Sequence, residues 1–355
     1  MTSEFFRSNT TRIVTELITT GTSTTYDSYT HTDPAIIKYH ADNIPEKTPL
    51  IKEFEADLMT GAAEYVQSKS SPDSYVRRVG YDKFFNHPEN MRRAREIQKT
   101  YSRPVPDPVV LGKLFKMLTN VPHATVHPIY WASTDRGDQN TTTMEEAIMQ
   151  AETKLFVTLK PKRYLGSIGL QLKNWYHQWG LSRFDIIDDI TDRHVGSVII
   201  HQSTTLPPTT TPLLTNPPLQ IINTTGGYNI VHELTHAVNF SFVPYYKIPR
   251  DLVEIAPMCM ENAVRSQPIS NKDLSRQAAL AIADLTADTP DEFNVIYSKY
   301  TNTRPVGHVR ARMWHFTNMP FKYYSYALGM NAKNYSALKN AVRSENREDI
   351  LLLTE

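Results

Sequence analysis

His232 and His236 stand four residues apart, with Glu233 beside the first of them, in the run His232-Glu233-Leu234-Thr235-His236. On a helix, residues i and i+4 share one face, one turn apart, so both imidazoles can reach a single metal ion. Zinc accepts imidazole nitrogens at about 2.0–2.1 Å. A carboxylate adjacent to the first ligand is placed to take a proton from water polarised by that ion. The flanking residues Ile230, Val231, Leu234, Ala237 and Val238 are apolar, as in a helix buried in a core.

A metal needs at least one more ligand, and the next apolar run offers two carboxylates, Glu254 and Glu261. Their neighbours are Leu252, Val253, Ile255, Ala256, Met258, Cys259 and Met260. Burying a carboxylate in such company is costly unless it is paired or bound to a metal. The two glutamates are seven residues apart and project the same way from a helix. One can ligate zinc while the other holds a ligand histidine by its second ring nitrogen. A structural zinc site is closed by four protein ligands, whereas three leave a position for water and hydrolysis.

These residues resemble the zinc oligopeptidases typified by thimet oligopeptidase and the bacterial oligoendopeptidase F group. In that family a strand leads into H-E-x-x-H, and the following helix reads roughly F-V-E-x-P-S-Q-x-x-E-N. Here residues 218–223 precede the histidines, followed by Leu252-Val253-Glu254 and Met260-Glu261-Asn262. The resemblance implies that Glu254 is the third ligand of one zinc ion, Glu233 the general base, and Glu261 the partner that orients a ligand histidine. It extends to a late histidine and tyrosine cluster, His315 followed by Tyr323, Tyr324 and Tyr326. His315, Tyr323 and Tyr326 are thereby implied to face the substrate, where hydroxyl donors stabilise a developing oxyanion. The matched stretch covers about residues 180–330. It departs from the family at Ala256-Pro257-Met258, where the proline is displaced by one position.

The elements that must position these residues follow from periodicity and caps. Helices are expected over 107–119, 143–157, 165–179, from Tyr228 onward, over 251–265, 271–287 and 290–300, and within 321–341. Strands are expected at 194–201 and 219–223. The Thr/Pro-rich stretch 203–218 reads as a loop, hinge or processing site, because proline removes donors and blocks regular helix. His123 and His127 are bracketed by Pro122 and Pro128 and read as loop residues without a metal role. Cys259 reads as a small core residue. The resemblance implies a mainly α fold: a helical bowl or cleft with a small β-sheet next to the active-site helix, a zincin-like catalytic core. The chain divides into a mainly helical region 1–200 and a catalytic region 201–355. An extended peptide is expected to pair with the strand 219–223.

Composition narrows the alternatives. With 40% hydrophobic and 21% charged residues over 355 positions, the chain can build a large core. A net charge of +1 gives no bulk attraction to nucleic acid or to a membrane surface. A single cysteine excludes an intramolecular disulfide and suits a reducing compartment. No signal peptide or transmembrane segment is seen, so a cytoplasmic or otherwise intracellular protein is expected. The expected partner is a peptide or protein substrate. The alternatives are a catalytically inactive descendant that acts as a binding or structural protein, and a module stabilised by zinc.

Overall fold

The computed structural model describes residues 105–118, 143–161, 181–202, 208–213, 217–224, 228–249, 251–265, 268–301 and 321–355. In chain order it forms helix α1 (Pro108–Met117), helix α2 (Met144–Leu155) and strands β1 (Val157–Pro161), β2 (Leu181–Asp188), β3 (Arg193–Gln202), β4 (Thr209–Leu213) and β5 (Leu219–Thr224). Helices α3 (Tyr228–Phe242), α4 (Ile255–Val264), α5 (Asn271–Thr286), α6 (Pro290–Thr301) and α7 (Tyr324–Asn331) follow. Short helices α8 (Leu338–Ala341) and α9 (Arg347–Leu351) end the chain. The expected helix at 165–179, His123, His127 and His315 lie outside the described residues.

The elements fall into two compact units, one carrying α2, the sheet, α3, α4 and the C-terminal helices, the other α1, α5, α6 and α7. The first unit overturns the expectation of a helical bowl with a small accessory sheet. It holds a five-stranded mixed sheet of order β1-β2-β3-β5-β4, so the fold is mixed α/β. The β3–β5 pair is parallel and the other three pairs are antiparallel. Val198, Ile199, Ile200, Ile221 and Ile222 are buried on both faces of the sheet, which explains their unbroken apolar runs.

Three strands form where no strand is expected from the sequence. β1 starts right after the helix that covers its approach, and only Val157 and Leu159 are buried in it. The alternation of β2 breaks at a register shift between Ile186 and Ile187. β4 lies inside the stretch 203–218, where Pro212 signals a loop. A proline is tolerated there because, among the described residues, β4 is the last strand of the sheet, where a missing N–H costs least. Since β5 is flanked by β3 and β4, it has no edge left for a peptide, contrary to the expectation for 219–223.

Local rules fix the helices around the sheet. Thr143 Oγ1 accepts from Glu146 N at 3.2 Å and Glu146 Oε2 accepts from Thr143 N at 2.8 Å, a reciprocal cap that starts α2. Ala147, Ala151 and Leu155 form its buried stripe, while Phe156 turns out into the left-handed C-terminal position with φ 56°. Helix α3 buries Ile230, Val231, Leu234, Ala237 and Val238. It sits so close to β3 that a Cβ on Gly196 would meet Ser241 Cβ at 2.7 Å and the Pro218 carbonyl at 3.2 Å. The C-terminal segment is pinned to the same unit by Asn239 Nδ2, which donates to the Val342 carbonyl at 2.8 Å. Arg343 donates to the Leu155 and Phe156 carbonyls at 2.8 and 2.9 Å.

In the second unit, α5 presents fully buried Ala278, Ala279, Ala281 and Ala283, small enough to let α1, α6 and α7 approach closely. Phe293 and Tyr297 of α6 fill the remaining volume and are almost completely buried. Among the described residues, no helix is long and apolar enough to cross a membrane.

Candidate metal centre

Helix α3 carries His232, Glu233 and His236, and its helical geometry puts the two rings 4.9 Å apart between centroids. Residues 244–249 and 251–254 follow, with Leu252 N donating to the Pro249 carbonyl at 2.8 Å and Ile255 N to the Leu252 carbonyl at 3.0 Å. Glu254 falls at the N-cap of α4, one step before the helix, where the sequence reading placed it inside. Its side chain makes no capping hydrogen bond and turns to the histidines instead. Pro257 is accommodated in the first turn of α4, where its missing N–H has no helical partner to lose.

One oxygen of Glu254, Oε2, stands 3.1 Å from Nε2 of His232 and 3.3 Å from Nε2 of His236. The ligand atoms of His232, His236 and Glu254 all lie within 4.8 Å of one another, and this group can hold a metal ion. Glu261, seven residues on and largely buried, reaches the other side of the first ring: Oε1 accepts from His232 Nδ1 at 2.8 Å. Glu261 Oε2 is held in turn by Arg265 Nη2 at 3.1 Å. His236 is braced differently. Its ring stacks on Phe240 at 5.5 Å, and its buried Nδ1 has no hydrogen-bond partner among the described residues.

The electrostatics of this cluster fit a cation. With Nδ1–H of His232 given to Glu261, a neutral ring presents a lone pair at Nε2, facing the lone pairs of Glu254. Acceptors converging in a buried place repel one another unless a proton or a metal lies among them. Without a metal, protons do this work. Burial disfavours a charged His232, but the carboxylates of Glu254 and Glu261 outweigh it and hold the imidazole well above its ordinary value. Burial likewise opposes ionisation of Glu254, but His236 and His232 outweigh it and hold its carboxyl well below the usual range. A metal ion competes for the same atoms by displacing those protons.

Glu233 is buried and does not join the cluster. Burial pushes its carboxyl up, against the opposing pull of the two histidines and of Thr210. Thr210 of β4 places its hydroxyl 2.6 Å from Glu233 Oε2 and 3.0 Å from the Glu233 carbonyl oxygen. Thr210 and Arg265 are absent from the sequence reading. Arg265 had a signal, the i, i+4 spacing from Glu261 that favours an ion pair on a helix. Thr210 had none, because strand pairing alone brings it to α3.

The late tyrosines belong to the other compact unit. Tyr323 is buried, and its hydroxyl donates to Oε1 of Gln277 on α5. Tyr326 is half-buried, with its ring 5.8 Å from that of Tyr323.

Compared with known proteins, the chain matches no family model and no curated protein.

Proposed function

We propose that this chain is a zinc-dependent metallopeptidase, with His232, His236 and Glu254 holding the ion and Glu233 acting as general base. The observation that carries this reading is the convergence of three ligand atoms within 4.8 Å of one another, two of them on the helix that also bears the buried carboxylate of Glu233 and the third from Glu254 at the start of α4. Two imidazoles and one carboxylate are the three-ligand set of a hydrolytic zinc site. When bound, zinc supplies a Lewis acid that brings the pKa of a coordinated water to about 7.

The chain's own groups supply the rest. Glu261 fixes the tautomer and orientation of His232 by accepting its Nδ1–H. Glu233 takes a proton from the water whose oxygen adds to the peptide carbonyl carbon, and hands it to the amine nitrogen as the C–N bond breaks. An extended peptide adds to β4, the strand at the end of the sheet, through backbone hydrogen bonds. The resemblance to the oligopeptidases supports the same reading and assigns the oxyanion donors to His315 and a tyrosine. The hydroxyl of Tyr323 is given to Gln277, which leaves Tyr326 as the tyrosine to which the resemblance would assign that role.

Zinc content by mass spectrometry, with cleavage of a peptide library before and after chelation, tests the proposal. One zinc per chain, with cleavage lost on chelation and restored by zinc, is the expected outcome. Zinc binding without cleavage makes the chain a binding or structural protein, and absence of zinc binding overturns the site.

A further inference from the structure

We propose that Thr210 is a positioning residue for the general base: its hydroxyl fixes the Glu233 carboxylate by one oxygen and ties it to strand β4. This rests on the metallopeptidase reading above. The argument starts from the sheet. Thr210 pairs with Ile222 of β5 in the antiparallel register, so strand pairing fixes its backbone. Pro212 pairs with Gln220 two residues further on and stands on the same face of the sheet as Thr210. Across the parallel pair, Gln220 aligns with Val198 and hence with the face of Gly196, the face that meets α3 at Ser241. The side chain of Thr210 is therefore directed at α3 by the register itself.

There it meets Glu233 at two points, Oε2 at 2.6 Å and the main-chain carbonyl at 3.0 Å. A single hydroxyl between these two oxygens locks the side chain to its own helical turn, so the carboxylate plane cannot swing freely about its terminal torsion. That torsion is otherwise broad and poorly specified for a glutamate. With Oε2 engaged, Oε1 is the oxygen left to meet water or substrate. β4 is also the strand on which the peptide is proposed to lie. One residue thus sets the base and the peptide's template in a common frame, and small misplacements of a catalytic group are expensive.

The test compares Thr210→Val, which keeps the shape and removes the hydroxyl, with Thr210→Ser, which keeps the hydroxyl. Each variant is loaded with zinc and assayed for zinc content, circular dichroism, kcat, KM and the affinity of a peptide hydroxamate. Thr210→Val is expected to bind zinc normally, keep KM, and lose about tenfold to a hundredfold in kcat. Its hydroxamate affinity should fall in parallel, and Thr210→Ser should recover most of both. Unchanged kcat and hydroxamate affinity in Thr210→Val overturn the inference while leaving the metallopeptidase reading in place. Lost zinc or lost structure in both variants also overturns it, by making Thr210 a structural residue. A raised KM with intact kcat does the same, by making Thr210 a binding residue. A native chain that binds no zinc removes the reading and this inference together. If the native chain binds zinc without turnover, the hydroxamate arm decides.

Discussion

Glu261 Oε1 lies 2.8 Å from Nδ1 of His232. The bond sets the ring so that its other nitrogen faces Glu254, and Arg265 occupies the second oxygen of the same carboxylate. Glu261→Ala should weaken zinc binding by about 10- to 100-fold, the usual cost of removing a partner that orients a ligand histidine. Competition with a chelator of known affinity measures this directly. Equal affinity in the variant and the native chain would show that His232 is held by other means.

Glu233→Gln separates metal binding from proton transfer. Glutamine keeps the volume and can still engage Thr210, but it cannot accept the proton. The variant should hold zinc normally and lose at least about a hundredfold in turnover. Near-native cleavage by the zinc-loaded variant would remove Glu233 from the mechanism.

Much of this centre was legible in the sequence because it is local. The two histidines are one helical turn apart, and the glutamates at 254 and 261 sit in an apolar run whose burial demands a partner. The long helices were legible for the same reason: Thr143 and Glu146 announce α2, and the alanine-rich face announces α5. The sheet was not. β1 offers only two buried positions, β2 is interrupted by its register shift, and β4 is built from Thr209, Thr210, Thr211, Pro212 and Leu213, which looks like a loop in isolation. A strand of that composition forms because β5 provides the pairing, a constraint absent from any short window. Taken as a loop, the stretch 203–218 gives Thr210 no fixed position.

Gly196 should be intolerant of any side chain. A Cβ there would come within 2.7 Å of Ser241 Cβ and 3.2 Å of the Pro218 carbonyl, and backbone pairing on both sides of β3 prevents an easy shift. Gly196→Ala is expected to cost about 1–3 kcal/mol, typical of overpacking a tight contact. Chemical denaturation measures it. A variant as stable as the native chain would mean that α3 can move away from the sheet.

Asp188 and Arg343 should make stability acid-sensitive. Burial pushes the Asp188 carboxyl up, but hydrogen bonds from Thr191 and Arg343, with the charge of Arg343, outweigh it and leave the value below the ordinary one. Arg343 Nη2 lies 2.6 Å from Asp188 Oδ1, and both side chains are largely buried. Because the folded value is depressed, the contribution is fully present above the unfolded carboxylate value of about 3.9, and is lost as pH falls through the folded value. Asp188→Asn should therefore lower the melting temperature at neutral pH and flatten the further loss on acidification below about pH 4. Arg343→Met leaves a buried carboxylate unpaired and should cost more, on the order of 3–5 kcal/mol. Parallel acid profiles for the native chain and Asp188→Asn would show that the pair does not govern acid stability.

The two tyrosines of the late cluster should separate by phenotype. The hydroxyl of Tyr323 is buried and donates to Gln277, joining the start of α7 to α5 within one unit. Tyr323→Phe leaves Gln277 Oε1 buried without that donor, which costs about 1–3 kcal/mol. Its melting temperature should fall while the turnover of the folded fraction stays close to native. Tyr326 is half-buried, and the oligopeptidase resemblance implies that its hydroxyl is a donor to the oxyanion. Tyr326→Phe should keep its zinc content, while kcat of the folded, zinc-loaded fraction drops by about 10²–10³, the usual loss for one such donor. Transition-state mimics should weaken more than substrate-like peptides, because the lost bond forms only as charge develops on the carbonyl oxygen. Melting curves, kcat and inhibitor constants for the two variants side by side make the contrast internal. If Tyr326→Phe loses stability and keeps its turnover, Tyr326 is a packing residue like Tyr323, and the oxyanion donor must be sought elsewhere, first at His315.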